Sequence, residues 1–247
     1  MREYYLYPEL VECLRSARRV TALTGAGVSQ ESGLRTFREA QTGLWSQVRP
    51  EDLATPEAFA RDPQRVWDWY AARRLRAGEV LPNPAHHALA EMGRRVPEFT
   101  LLTQNVDGLH QRAGSGEVIE LHGNITRVRC SAGCGIVAGW DEDGEPLPHC
   151  PRCGARLRPD VVWFGEALPA ASLETAVSAA RTCQLFLSVG TSGVVQPAAS
   201  LAYTARQAGA VVAEINLEPT PLSMQAHFCL HGKAGEILPA LVKAAWG

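Results

Sequence analysis

A chain of 247 residues with 46% apolar side chains can bury one large core, or one core with a small appendage. Its net charge of −2 provides no general attraction for nucleic acid or anionic lipid. No apolar run approaches the roughly 18 residues that a membrane span needs, no signal peptide opens the chain, and the seven cysteines are an odd number, which together predict a reducing, cytoplasmic setting.

The first short apolar run is Val20-Thr21-Ala22-Leu23-Thr24; others follow at residues 99–103, 185–189 and 211–216. All have little alternation, as strands buried on both faces should. Between them, residues 84–95 and 197–208 read as helices that open near a proline, the second followed by Gly209. The pattern predicts a doubly wound α/β fold, in which ligands lie beyond the carboxyl ends of the strands.

Polar loops follow those ends: Gly25 to Gly33, Gln104-Asn105-Val106-Asp107, Gly190-Thr191-Ser192, and Leu217-Glu218. Glycines let backbone approach a pyrophosphate, and Asn, Asp and Glu can bond ribose hydroxyls and an amide. Gly25-x-Gly27 alone is weak evidence, because Gln30 stands where a third glycine is usual and tight turns use glycine for geometry. Four such loops together favour a dinucleotide site.

Two cysteine doublets, Cys130-x-x-x-Cys134 and Cys150-x-x-Cys153, interrupt the alternation, each followed by a glycine, Gly135 and Gly154. Four thiolates at this spacing can fill a tetrahedral Zn²⁺ shell, which predicts a structural metal and places the chemistry elsewhere. His149 is a competing ligand, and disulfides or buried thiols are the bland alternative. Cys13, Cys183 and Cys229 read as core residues.

In this order and over nearly the whole chain, the segments resemble the sirtuins, NAD-dependent protein-lysine deacylases. The matching residues are Gly25-Ala26-Gly27-Val28-Ser29, Ser32-Gly33, Thr36-Phe37-Arg38, Gly43-Leu44-Trp45, Thr103-Gln104-Asn105-Val106-Asp107, Leu121-His122-Gly123, the four cysteines, Val162-Trp163-Phe164-Gly165-Glu166, Gly190-Thr191-Ser192 and Asn216-Leu217-Glu218. One departure is Gly33-Leu34-Arg35, where the family usually carries a proline after Gly-Ile.

The resemblance implies a Rossmann-like large lobe, approximately 8–38, 82–127 and 157–247, within one catalytic domain. The small lobe would join a helical insertion, approximately 39–81, to a zinc ribbon, approximately 128–156. NAD and an acyl-lysine peptide would meet between the lobes, with the acyl group passing to ADP-ribose and nicotinamide leaving. His122 would be the general base, and the catalytic residues Asn105 and Asp107 would orient the ribose and nicotinamide, helped by Gln104. The cofactor would be held by Gly25, Ala26, Gly27, Glu31, Thr36, Phe37, Arg38, Trp45, Gln104, Asn105, Val106 and Asp107, and at its adenosine half by Gly190, Thr191, Ser192, Asn216, Leu217, Glu218 and Ala234. Val162, Phe164, Gly165 and Glu166 would bind the peptide as an added strand, Gly165 and Glu166 offering an exposed edge.

Tyr70 and Arg73 are three apart on a helical segment and share a face. A phenol and a guanidinium can hold a carboxylate in charge-assisted hydrogen bonds, and the pair resembles the sirtuin class that prefers succinyl- or malonyl-lysine, with acetyl removal as a second activity. Arg74 is read as off that pair, so Arg74→Met is expected to be nearly silent. Two other readings remain: an NAD-dependent ADP-ribosyltransferase, and a non-enzymatic zinc ribbon binding nucleic acid or protein through a patch around Arg127, Arg129, Arg152, Arg156 and Arg158. The first of these, like primary deacetylation, stays as an alternative; no nucleic-acid or membrane partner is expected.

Overall fold

The structure, a computed structural model, describes residues 6–34, 53–140 and 146–247. In chain order its strands are β1 (Arg19–Thr24), β2 (Glu98–Thr103), β3 (Val118–Glu120), β4 (Gly123–Cys130), β5 (Ile136–Val137), β6 (Leu157–Val161), β7 (Leu185–Val189), β8 (Val211–Asn216) and β9 (Phe228–His231). The helices are α1 (Pro8–Ser16), α2 (Ala26–Gln30), α3 (Pro56–Arg61), α4 (Pro63–Glu79), α5 (Pro84–Arg95), α6 (Leu109–Arg112), α7 (Ala170–Thr182), α8 (Ser200–Gln207) and α9 (Ala234–Trp246).

The apolar runs form a six-stranded sheet in the order β3-β2-β1-β7-β8-β9, with every pairing parallel. Successive residues turn to opposite faces. Ala22, Leu101, Leu187 and Ile215 pack with α1, α5 and α9, while Leu23, Leu102, Phe186 and Val212 pack with α7 and α8. Each fully buried Leu or Phe adds about 1.5–3 kcal/mol, so the centre of the sheet is its most secure part. Strand order reverses between β1 and β7, and the crevice at that switch point is where an open α/β sheet receives its ligand.

A second, three-stranded sheet places β4 between β5 and β6 with antiparallel pairing. Its ladder runs from Cys130↔Leu157 to Gly123↔Val161 with an irregularity between Asn124 and Val128, so β4 and β6, with residues 123–127 and 157–161 expected in the large lobe, belong to this smaller sheet. Helix α4 lies against it, with Trp67 among Val128, Val137 and Leu157. Arg112 of α6 donates to the carbonyls of Ala77 and Val80 at 2.9 and 2.7 Å, which caps the end of α4. The predicted helix at residues 84–95 matches α5; the one at 197–208 begins only at Ser200, after turns at Gln196 to Ala199.

Candidate functional site

At the switch point two loops touch. Gly27 N–H donates to the Gly190 carbonyl at 2.8 Å, and Gly25 N–H to Val189 at 3.0 Å. A Cβ on Gly27 would lie 2.8 Å from that same Gly190 oxygen, so backbone packing itself demands the glycines. Val28 N–H returns to Gly25, which leaves Ala26 N–H as the backbone donor of Gly25 to Val28 without a partner among the described residues.

Side chains then stitch three strand ends together. Gln104 Nε2 donates to Thr191 Oγ1 at 2.9 Å, and Asn216 Nδ2 donates to the Thr191 carbonyl at 2.9 Å. Ser192 is half-buried and makes no hydrogen bond among the described residues, and Leu217 and Glu218 are exposed. Glu31 accepts from Gly235 N–H at 2.9 Å, beside Ala234. Its carboxylate thus holds the first turn of α9.

The loop after β2 meets α2 through Ser29, a residue given no role from sequence. Asn105 Nδ2 donates to Ser29 Oγ at 3.1 Å and to the Gly25 carbonyl at 3.0 Å, while Ser29 Oγ donates to Asp107 Oδ2 at 2.7 Å. Burial pushes the Asp107 carboxyl up from its ordinary range, and the Leu109 amide and Ser29 hydroxyl draw it back. Behind them, Thr24 Oγ1 meets Thr103 Oγ1 and His110 Nε2, both at 2.9 Å, and Thr103 Oγ1 accepts from Asn105 N–H at 3.0 Å. His86, buried by the capping box that starts α5 at Asn83, stacks 4.8 Å from His110. Desolvation holds these two rings neutral, at about 3 for His86 and about 4 for His110.

His122 follows β3 at the same edge. Its Nδ1 lies 3.0 Å from the Gln104 carbonyl, which can only accept, so the neutral ring carries its proton on Nδ1. Nε2 keeps its lone pair, with no partner among the described residues. Burial holds His122 below the usual 6.5. The His122 carbonyl accepts from Val162 N–H at 2.9 Å, which joins the base to the segment leading into the small lobe. A Cβ at Gly123 would collide with the Asp160 carbonyl, so the residue after His122 must be glycine for β4 to dock on β6.

On the small-lobe side, Val106 packs into an apolar wall of Phe59, Val66, Trp69, Tyr70, Ile125, Val161 and Trp163. Tyr70 is buried, its oxygen accepting from Trp163 Nε1 at 3.1 Å. Arg73 is half-buried, stacked 4.8 Å over the Trp69 ring and interacting electrostatically with Tyr70; burial lowers it from its ordinary range. Thr36, Phe37, Arg38 and Trp45 lie outside the described residues.

Two sequence readings differ in the structure. Gly165 and Glu166 form a turn with Gly165 at φ +87°, not an extended edge. From Val162 to Glu166, four amides are bonded within the protein, and Gly165 N–H is the donor left over among the described residues. The Glu166 carboxylate is paired with Arg158 at 2.5 and 2.9 Å. Arg158 is buried and Arg127 is bonded to Glu120 and Asp160, so the basic patch offered for nucleic acid is largely neutralised from within.

Arg74 is also buried, its guanidinium 4.7 Å from the Trp140 ring and 5.3 Å from Trp67. It ties α4 to the ribbon. Arg74→Met is therefore expected to destabilise by about 1–3 kcal/mol, a loss of several degrees in Tm by calorimetry, rather than to be silent.

The sulfurs of Cys130, Cys134, Cys150 and Cys153 all lie within 4.8 Å of one another. Four thiolates around a tetrahedral Zn²⁺ at about 2.3 Å need separations just under 4 Å, so the cluster fits a closed structural zinc site. Ala132 N–H points at Cys130 Sγ and Gly154 N–H bonds Cys150 O, the turns that aim each doublet inward. His149 is exposed, bridged to Arg156, and outside this group; no disulfide forms among the described residues. Of the other cysteines only Cys183 is buried, Cys13 and Cys229 being intermediate.

Comparison with known proteins agrees with this geometry. The Sir2 family model matches residues 25–197. An NAD-dependent protein deacylase of Pyrococcus furiosus is 51% identical over 243 residues, covering 95% of this chain and 96% of the relative. NAD-dependent protein deacylase 1 of Pseudomonas aeruginosa is 50% identical over 246 residues, covering 96% and 98%. Among solved structures, a Sir2 homologue in complex with NAD superposes with a TM-score of 0.92 at 45% identity, covering 99% of this chain and 96% of that one. A Sir2 protein bound to acetylated peptide gives 0.85 at 29% identity, covering 97% and 98%. A family model across most of the chain, relatives at half identity over nearly their whole length, and one shared architecture have a single explanation: the chain belongs to the Sir2 family.

Proposed function

We propose that this enzyme removes acyl groups from protein lysines with NAD, transferring them to ADP-ribose, and that it prefers succinyl- and malonyl-lysine while also accepting acetyl-lysine. The observation that carries the deacylase reading is the tautomer of His122. A ring that donates from Nδ1 to a carbonyl and keeps Nε2 free is competent as a general base, and this one stands at the end of the sheet where Asn105 and Asp107 converge. When bound, NAD would supply an electrophilic ribose carbon for the acyl oxygen, with nicotinamide as the leaving group.

The residues then divide the work. Asn105 and Asp107, joined through Ser29, orient the nicotinamide end. Gln104, Thr191 and Asn216 shape the path toward the adenosine half, with Ala26 N–H free to receive an acceptor oxygen. His122 Nε2 takes the ribose hydroxyl proton once the acyl oxygen has attacked. Gly165 N–H is a backbone donor available to an acyl-lysine peptide, in keeping with a Sir2 relative solved with acetylated peptide.

Acid preference rests on Tyr70 and Arg73, both withdrawn from bulk water beside the wall that contains Val106. Removing either partner should leave an acyl carboxylate short of charged hydrogen bonds, at roughly 1–3 kcal/mol each. Arg73→Met is expected to raise KM for a succinyl-lysine peptide accordingly, with kcat/KM for the acetyl peptide changing much less. Equal losses on both peptides would return Arg73 to a purely structural role.

Acetyl-, malonyl-, succinyl- and glutaryl-lysine peptides assayed with NAD for nicotinamide release test the whole reading. Release that requires acylated peptide identifies deacylation, whereas release without it identifies ADP-ribosyl transfer. A flat response across the acyl series would remove the acid preference and leave a deacetylase.

A further inference from the structure

We infer that Trp163 is a specificity-determining residue, because its indole N–H fixes the Tyr70 hydroxyl with its proton free to be donated to an acyl carboxylate. The inference rests on the acid-acyl reading above. Trp163 Nε1 and Tyr70 Oη are 3.1 Å apart, and both residues are 3% exposed. An indole nitrogen can only donate, so the phenol oxygen is the acceptor and its own proton stays uncommitted. Among the described residues nothing accepts that proton. A buried hydroxyl proton without an acceptor is unfavourable, so the pocket is suited to a group that brings one.

The polarity of this corner follows. Tyr70 offers an O–H, and Arg73 on the next turn of α4 adds a guanidinium, which has donors only. An acyl carboxylate has only acceptors, so the match is complete; an acetyl methyl has none to offer. Accepting a bond from Trp163 also polarises the phenol and strengthens it as a donor. Without the indole N–H, the hydroxyl has two free lone pairs, and a bound water can take either role.

Trp163 is itself held firmly enough to do this. Its ring packs at 5.3 Å from Phe59, and the Arg158 guanidinium lies 3.3 Å from its centroid. Arg158 is anchored by Glu166 through two bonds and donates to the Val161 carbonyl at 2.8 Å, and Glu166 also accepts from Trp163 N–H at 2.8 Å. Arg158 Nε has no acceptor among the described residues, as expected of a guanidinium held against a ring. The turn at Gly165 and Glu166, read from sequence as a peptide edge, therefore also braces the acyl pocket.

The test is the ratio of kcat/KM for succinyl-lysine to that for acetyl-lysine peptide. Trp163→Phe keeps an aromatic ring but removes the donor, and should lower the ratio about tenfold, mainly through KM for the succinyl peptide. In a Tyr70→Phe background the same change should leave the ratio where Tyr70→Phe alone puts it, since the bond is already lost. Benzothienylalanine at position 163 replaces the N–H with sulfur at nearly constant shape; it should reproduce the drop, and it decides the matter if Trp163→Phe folds poorly. An unchanged ratio, proportional loss on both peptides, or additive losses in the double variant would overturn the role of Trp163. If Tyr70→Phe and Arg73→Met lower the ratio while the Trp163 variants do not, this inference fails and the acid-acyl reading stands. If none of them moves it, both fail.

Discussion

Replacing His122 with Ala should lower deacylation turnover by roughly 10²–10⁴-fold while NAD and peptide still bind and the melting temperature barely moves. The ring makes one hydrogen bond, to the Gln104 carbonyl, and is not part of the buried core, so its loss costs little stability. What disappears is the lone pair on Nε2. The pH profile gives a second reading of the same group. A base must be neutral, and burial holds His122 below 6.5, so protonation begins only at lower pH. The acid limb of kcat should accordingly fall below pH 6.5, and His122→Ala should abolish that limb along with the rate. Near-normal turnover in the variant, or an acid limb above pH 7 in the wild type, would remove His122 from the proton transfer.

Much of this was legible in the chain, for identifiable reasons. Strands β1, β2, β7 and β8 are buried on both faces, and continuous apolar runs are what such burial requires. Helix α5 announced itself because its local signals agree: Asn83 caps it and Pro84 opens it. The short strands β3 and β9 have three and four residues, all but Leu230 polar or half-buried, and no run that a pattern could register.

Side chains satisfied by distant partners were harder still. Ser29 reaches Asp107 across 78 positions, and Trp163 reaches Tyr70 across 93, through contacts that exist only after the sheets assemble. Arg74 and Arg158 misled in the opposite direction. Arginine usually signals solvent, yet here both are buried with indole rings stacked on them, and Glu166 neutralises one. The acidic stretch at residues 141–145 and the segment at 35–52 lie outside the described residues.

Stripping the metal, or making Cys130→Ser, should cost folded protein and activity together. The core beneath the ribbon consists of Trp67, Val128, Cys130, Val137, Cys150 and Leu157, and two of those six are themselves ligands. So small a core cannot hold β4, β5 and β6 alone, and structural zinc sites supply apparent binding energies of about 10–16 kcal/mol to such lobes. Damage would spread along α4, because Trp67 is in that core and Arg74, stacked between Trp67 and Trp140, lies one turn from Tyr70 and next to Arg73. The pH sign is set by the ligands. Zinc binds thiolates, so affinity and lobe stability should fall as acid protonates them. The expected baseline is about one zinc per chain by metal analysis; chelation should then lower Tm, soluble yield and turnover in parallel. A zinc-free protein with native circular dichroism and unchanged NAD affinity but no turnover would put the metal in the reaction. With four sulfurs closing the shell and no position open for water, loss of turnover should instead track loss of the fold.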